Sequence, residues 1–98
     1  MTLTIAFHEA AALELADAAA FYEGECPGLG VTFLTEVEAA LQFLAQFPDG
    51  SPLLRGRIRR KTLLRFPYML LYSLQADQIR ILAVAHEKRR PLYWHGRQ

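Results

Sequence analysis

The spacing of hydrophobic residues changes once along the chain, near residue 50, and this change restricts the fold more than any other feature. Before it, His8–Glu23 is rich in Ala and Glu, which are strong helix formers, and Leu29–Phe47 has apolar residues three and four apart. The first segment has Leu13, Ala16, Ala20 and Phe21 at helical spacing, and the second has a stripe of Leu34, Val37, Leu41 and Leu44 that we expect to be buried. Because Cys26-Pro27-Gly28 interrupts the pattern, the sequence predicts a pair of helices.

The rest of the chain has the alternation and the aromatic content of β-strands. Thr2–Phe7 alternates, and three further strands are predicted at Arg57–Leu63, Leu64–Leu74 and Ile79–His86. The last of these places Ile79, Ile81, Ala83 and Ala85 on one face and Arg80, Leu82, Val84 and His86 on the other. Both faces are largely apolar, so this strand is expected to be central.

Strands separated from a helix pair predict an α+β fold, with one antiparallel sheet packed against a helical hairpin. The predicted order is β-α-α-β-β-β. With 98 residues, the chain is expected to form a single domain over residues 1–98.

Charge is divided between the two halves of the chain. All eleven Lys and Arg residues follow Ser51, where only Asp77 and Glu87 oppose them, while the first fifty residues hold eight acids and no Lys or Arg. A half-molecule this basic favours an anionic partner, either a polyanion or an acidic protein. The alternative is that the two halves neutralise each other across the fold.

Two basic clusters are candidates for such contacts. On a strand, Arg57, Arg59 and Lys61 point to one face, where phosphates or the carboxylates of a partner would satisfy them; the alternative is a solvated sheet edge. The second cluster, His86 to Trp94, places Lys88, Arg89 and Arg90 beside Tyr93 and Trp94. Its imidazole, phenol and cations could serve RNA cleavage, or its aromatic residues and His86 could be structural.

Several classes of function have no support in the sequence. The lone Cys26 excludes an internal disulfide and fits a reducing cytoplasm. No zinc-type spacing, phosphate-binding glycine loop or serine-hydrolase motif is present, so we expect neither a metal nor a cofactor. No stretch is long enough to span a membrane, and the N-terminus lacks the features of a signal peptide.

The order of these segments resembles the RelE/ParE superfamily of bacterial toxins. The most specific part of the resemblance is FPY–LLY at 66–72, then the hydrophobic strand ending in Ala85-His86, then the Arg89-Arg90-Pro91 and Tyr93-Trp94 ending. The resemblance covers nearly the whole chain. It implies the toxin of a type II toxin–antitoxin pair, also known as a plasmid stabilisation protein.

The resemblance further implies a cognate antitoxin whose acidic, amphipathic segment wraps around the toxin and folds on binding. DNA would be contacted only indirectly, through the antitoxin. The residues expected to contact the antitoxin are Leu34, Val37, Leu41, Arg59 and Arg80.

Members of the superfamily differ in their target. RelE-like members cut mRNA on the ribosome, whereas ParE-like members inhibit DNA gyrase. Met69 occupies the position at which the nuclease branch has an Arg, which favours the gyrase branch with no catalytic residues. The expected target-binding residues are then Arg57, Arg59, Lys61, Lys88, Arg89, Arg90, Tyr93 and Trp94.

Two alternatives remain open at this level. A nuclease would use Lys61, Arg65, His86, Lys88, Arg89 and Tyr93. A member without toxicity would be retained as an antitoxin-binding module.

Overall fold

A computed structural model of the chain describes residues 3–97, which form seven regular elements. In chain order these are β1 (Thr4–Phe7), α1 (Glu9–Glu25), α2 (Leu29–Gln46), β2 (Leu53–Arg55), β3 (Ile58–Thr62), β4 (Tyr68–Gln75) and β5 (Gln78–His86). The predicted α+β fold is confirmed. A short edge strand, β2, is present in addition to the three predicted after the helices.

The five strands form one sheet in the order β1-β5-β4-β3-β2. β1 runs parallel to β5, and every other neighbouring pair is antiparallel. The sheet is therefore mixed rather than antiparallel throughout, because the two helices between β1 and the later strands return the chain to the opposite edge. β5 lies between β1 and β4, so the prediction of a central strand is confirmed.

The buried face of α1 differs from the apolar residues selected from its sequence. Leu13, Ala16, Ala20 and Phe21 all lie on the exposed side, whereas Ala11 and Ala18 are buried against the sheet. In so Ala-rich a helix several faces have helical spacing, and small side chains allow the backbone to approach β5 closely. The helix begins where the His8 imidazole Nδ1 accepts a hydrogen bond from Ala10 N–H at 3.0 Å.

In α2, Phe33, Val37 and Leu44 enter the main core, which they share with strand residues. Leu41 is half-buried at its margin, and Leu34 is exposed. The predicted buried stripe is thus confirmed at two of its four positions, Val37 and Leu44. The buried face of α2 is rotated towards Phe33 because the helix packs against both α1 and the sheet.

A β-bulge in β5 reverses the predicted faces of that strand halfway along it. Leu71 pairs with Ala83 while Tyr72 pairs with Ile81, so Leu82 is the extra residue. Ile81 and Val84 therefore both face the helices, and Ala83 and Ala85 face the opposite, outer side of the sheet. Strict alternation over this strand was a wrong prediction, because a bulge adds one residue without changing the hydrophobic character of either face.

The two helices meet at Gly30, where no side chain fits. A Cβ atom there would lie 2.7 Å from the carbonyl oxygen of Ala19 and 2.9 Å from the Glu23 carboxylate. The same carboxylate accepts hydrogen bonds from the backbone N–H groups of Gly28 and Gly30, at 2.9 and 3.0 Å, at the start of α2. Glu23 thus fixes α1 to the first turn of α2.

Gly30→Ala should destabilise the protein by about 1–3 kcal/mol, because the added methyl group overpacks the junction between the helices. Gly24→Ala is the matched control: it is also a helical position, nothing lies within 4 Å of its Cβ position, and the change should add up to about 1 kcal/mol of stability. Urea unfolding of both variants measures the difference. Equal stabilities would contradict the close approach at Gly30.

Candidate functional site

The free edge of β5 is closed by two side chains that are distant in sequence. β1 pairs with β5 only as far as Ile81. Beyond that residue, the backbone N–H and C=O groups of β5 that point away from β4 need other hydrogen-bond partners. Val84 N–H donates to Glu14 Oε1 of α1, and the Leu82 carbonyl accepts from Arg97 Nη1, each at 3.0 Å. The bulge therefore leaves the Leu82 carbonyl available to the guanidinium.

Glu14 and Arg97 also bind each other in a two-pronged ion pair. Arg97 Nη1 and Nη2 donate to Glu14 Oε1 and Oε2, both at 3.0 Å, and each side chain is 17% exposed. Paired donors of this kind match a carboxylate in both geometry and charge. The hydrogen bonds to Glu14 raise the pKa of the Arg97 guanidinium. We call this pair, with its two backbone contacts, the clasp.

The tail, residues 87–97, turns back over the outer face of the sheet. Trp94 is 4% exposed and packs with Leu71, Ala83 and Ala85. Two guanidinium groups contact the Tyr93 ring, that of Arg89 at 3.9 Å and that of Arg97 at 5.1 Å from its centroid. Aromatic burial and cation–π contact therefore fix the tail against the sheet.

A shallow cleft of about 200 Å³ opens between the tail and the outer face. We call it the tail cleft. Its walls and floor include the aliphatic side chains of Leu54, Met69, Leu71, Pro91 and Leu92, and its charged residues are Arg60, Arg89, Arg90 and Glu87. Arg60 reaches it because it pairs with Leu71, which faces outward. Within residues 3–97, none of the three arginines forms an ion pair.

The predicted basic face of β3 lies on the other side of the sheet. Arg59 pairs with Tyr72 and Lys61 with Leu70, and both partners belong to the core under the helices. Arg59 is bound to the Ser51 carbonyl at 2.7 Å and to Asp49 at 3.7 Å, while Lys61 lies 4.5 Å from the Phe43 ring. Part of this charge is thus neutralised within the chain. Arg57 precedes the strand in an exposed turn.

The residues proposed for a nuclease are divided between two regions. His86, Arg89 and Tyr93 line the tail cleft, with the exposed Lys88 beside them. The His86 Nδ1 atom accepts from Lys88 N–H at 3.0 Å, and its ring meets Tyr68 edge-on at 5.1 Å. Lys61 and Arg65 lie on the helix side instead, beside α2. The sheet separates Arg89 and Tyr93 from Lys61 and Arg65, while the His86 ring lies with Tyr68 at the margin of the helix-side core. The structure therefore does not bring the six residues into one site.

Tyr93 is poorly suited to accept a proton. Its hydroxyl is buried and makes no hydrogen bond to any part of the chain that the structure describes. Burial first, and then the neighbouring Glu14 carboxylate, raise the pKa of the Tyr93 phenol to about 12. A phenol with this pKa stays protonated at neutral pH, so it cannot act as a general base.

A second groove lies between α2 and β3. Glu36 accepts hydrogen bonds from the backbone of Leu64 and Arg65, and from Arg65 Nε at 3.0 Å. Partial burial would raise the pKa of Glu36, but these bonds outweigh it and lower that pKa. The anchored connection leaves Leu64 92% exposed. We call this the α2 groove; it encloses about 160 Å³, and its lining includes Ala39, Phe43, Lys61 and Leu64.

The residues expected to contact an antitoxin are dispersed. Val37 is buried and Leu41 half-buried, so neither forms an open surface. Leu34 is exposed but does not line the α2 groove. Arg59 is ion-paired, and Arg80 lies on the outer face opposite Ser73.

Four residues with central positions were missed from the sequence: Glu14, Glu36, Arg60 and Arg97. Each forms its contacts with a distant part of the chain; Glu14 and Arg97, for example, are 83 residues apart. The sequence did contain a signal for Arg60. Because neighbouring side chains on a strand point to opposite faces, Arg60 lies on the face opposite Arg59 and Lys61, which is the face of the tail cleft.

Comparison with known proteins identifies the class of small domain to which this fold and its basic tail belong. A solved structure described as a chromosomal ParDE toxin–antitoxin system from P. aeruginosa superposes with a TM-score of 0.76 at 19% identity, covering 87% of this chain and 96% of the other. The family described as ParE toxin of type II toxin-antitoxin system, parDE, matches residues 5–91. The chain therefore belongs to the ParE toxin family. No curated protein matches it.

Two features are absent from residues 3–97. No helix there is both long enough and apolar enough to cross a membrane. The same residues contain no cluster of three or more His, Cys, Asp or Glu side chains that could hold a metal ion.

The raised pKa of Tyr93 predicts a loss of stability in alkali that Tyr93→Phe removes. The pKa of this phenol is about 12 in the folded protein against the ordinary 10.0, so the unfolded chain releases the proton first. Stability is therefore fully present below pH 10 and falls as the pH rises from 10 through about 12. Urea unfolding across this range should show the wild type losing stability relative to Tyr93→Phe. A difference that stays constant with pH would contradict the assignment.

Proposed function

We propose that this chain is the toxin of a type II toxin–antitoxin pair, that it inhibits DNA gyrase by binding rather than by catalysis, and that a cognate antitoxin neutralises it. The observation that carries the proposal is the tail cleft, where three arginines without ion-pair partners in the described chain surround aliphatic side chains. Gyrase is the target that the ParE branch implies. Action on it would place the protein in the cytoplasm.

The chemistry of the tail cleft favours a protein partner over RNA. Single-stranded nucleic acid is bound by stacking bases on open aromatic faces. Here two guanidinium groups already contact the Tyr93 ring, and Trp94 is buried against the sheet. Aliphatic side chains beside free arginines suit an apolar anchor flanked by carboxylates.

The separation of the nuclease residues favours a mechanism without catalysis. RNA cleavage needs a proton acceptor and phosphate-binding cations around one phosphodiester. Lys61 and Arg65 lie beside α2, while Arg89 and Tyr93 lie in the tail on the other face of the sheet. Met69 contributes an apolar side chain to the tail cleft where the nuclease branch has a cation.

The α2 groove is the surface we propose for the antitoxin. It combines apolar residues, Ala39, Phe43 and Leu64, with the cation of Lys61. An acidic amphipathic segment could bury its apolar side there and direct carboxylates at the cation. Contact with DNA would then come only through the antitoxin. The α2 groove replaces the antitoxin-contact residues predicted from the sequence, because Val37, one of those residues, is buried.

The target prediction can be tested with charge-neutralising variants in the tail cleft. Arg60→Gln combined with Arg90→Gln should weaken gyrase inhibition by about tenfold or more, because each charged contact at a buried interface contributes about 1.5–3 kcal/mol. Arg55→Gln is the matched control, since it removes an exposed cation that does not line the cleft. Inhibition of supercoiling by purified gyrase gives the measurement.

Pulse-labelling after induced expression distinguishes the targets in cells. DNA synthesis should fail before protein synthesis in cells that express the wild type, and neither should fail early with the double variant. Early loss of protein synthesis would instead support the ribosome-dependent nuclease. Loss of neither with the wild type would support a member without toxicity.

The antitoxin surface predicts that Leu64→Asp weakens antitoxin binding by at least tenfold while leaving folding unchanged. Leu64 is almost fully exposed, so replacing it costs no core packing. An apolar side chain that anchors an interface contributes about 2 kcal/mol or more to the binding free energy. Leu13→Asp is the control, since Leu13 is exposed on α1, outside the α2 groove. Titration calorimetry with the antitoxin encoded beside the gene gives both affinities, and equal affinities would move the antitoxin away from this groove.

A further inference from the structure

We propose that Glu14 and Arg97 are positioning residues for target binding: the clasp between them holds Arg89 and Arg90 at the tail cleft. This inference rests on the proposed function of the tail cleft. It adds that gyrase contact depends on a carboxylate of α1 that serves as an internal anchor rather than as part of the contact surface.

The tail has few polar attachments to the rest of the fold. Glu87 N–H donates to the Pro67 carbonyl at 2.9 Å. Beyond it, the backbone hydrogen bonds of the described tail are local, from Arg89 to His86, Tyr93 to Arg90, His95 to Leu92 and Arg97 to Trp94. The three bonds of the Arg97 side chain to Glu14 and Leu82 are therefore the polar link between the end of the tail and the body.

The position of Arg97 is passed to the tail cleft through Tyr93. The centroid of the Tyr93 ring lies 5.1 Å from the Arg97 guanidinium and 3.9 Å from that of Arg89. Arg89, Arg90 and Tyr93 all line the cleft. If Arg97 leaves Glu14, the Tyr93 ring loses one of its two cation–π partners, and the ring that Arg89 contacts is held less firmly.

Releasing the clasp should free the tail without unfolding the sheet. The Leu82 carbonyl and the Val84 N–H lie at a strand edge, where water can replace a lost side chain. The core between helices and sheet shares no residue with the cluster around Trp94. A defect in the clasp should therefore appear at the tail first.

The experiment uses Trp94, the only tryptophan of the chain, as a reporter of tail docking. Arg97→Gln removes the charge and the paired donors. Glu14→Gln removes the charge but keeps an oxygen that can accept from Val84 N–H, so it serves as the test if Arg97→Gln fails to fold. Asp49→Asn is the control, because it disrupts a different ion pair, that with Arg59.

For each variant we would measure acrylamide quenching of Trp94, affinity for the antitoxin and inhibition of gyrase supercoiling. Both clasp variants should show increased quenching and about tenfold or greater loss of gyrase inhibition, with antitoxin affinity unchanged, because two charge-assisted hydrogen bonds are lost. Arg97→Lys keeps the positive charge but lacks the paired N–H donors of the guanidinium, and should inhibit gyrase better than Arg97→Gln but less than the wild type. Combining Glu14→Gln with Arg97→Gln should add little to either single change.

The possible failures are distinguishable. Increased quenching with full gyrase inhibition would overturn the positioning role alone, and the proposed function would stand. Unchanged quenching and inhibition would show that the clasp does not hold the tail. A wild type that does not inhibit gyrase would overturn the proposed function and this inference together.

Discussion

The extra residue in β5 is the constraint on which both faces of the sheet depend. Because Leu82 has no partner on β4, the strand changes face in its middle: Ile81 and Val84 belong to the core under the helices, and Ala83 and Ala85 to the outer face. Small alanine side chains leave room there for Trp94, and the bulged carbonyl accepts Arg97. Without the bulge, the outer face would lack both the space and the hydrogen-bond acceptor that dock the tail.

The cations of the basic half fall into two groups in the fold. Some cations are matched within the molecule, as in Arg97 with Glu14, Arg65 with Glu36 and Arg59 with Asp49. In each pair the acid comes from the first half of the chain and the base from the second. Others, such as Arg60 and Arg90, remain exposed without an acidic partner among residues 3–97. The predicted neutralisation across the fold is thus confirmed for three cations, while Arg60 and Arg90 keep charges that no acid of the described chain matches.

Much of the fold could be predicted from the sequence, because periodicity and turn residues are local signals. The helix pair and the central position of β5 follow from such signals, whereas the toxin superfamily was inferred from the resemblance of the segment order and motifs to that family. The faces of α1 and β5 could not be predicted in this way: an Ala-rich helix offers several equivalent apolar faces, and a bulge leaves no trace in hydrophobicity. Glu14 and Arg97 were missed because their pairing exists only after residues 83 positions apart are brought together.

The parallel pairing of β1 with β5 has a consequence for how the protein is made. Thr4 pairs with Gln78 and Phe7 with Ile81, so the first strand cannot find its partner until most of the chain has left the ribosome. Contacts this distant in sequence slow folding, because a long loop must close before they form. During that interval the nascent chain presents the half that contains eight acids and no Lys or Arg, and its mutual repulsion opposes premature collapse and association. The tail cleft and the clasp form only after residues 89–97 have been synthesised, so a shorter nascent chain carries neither.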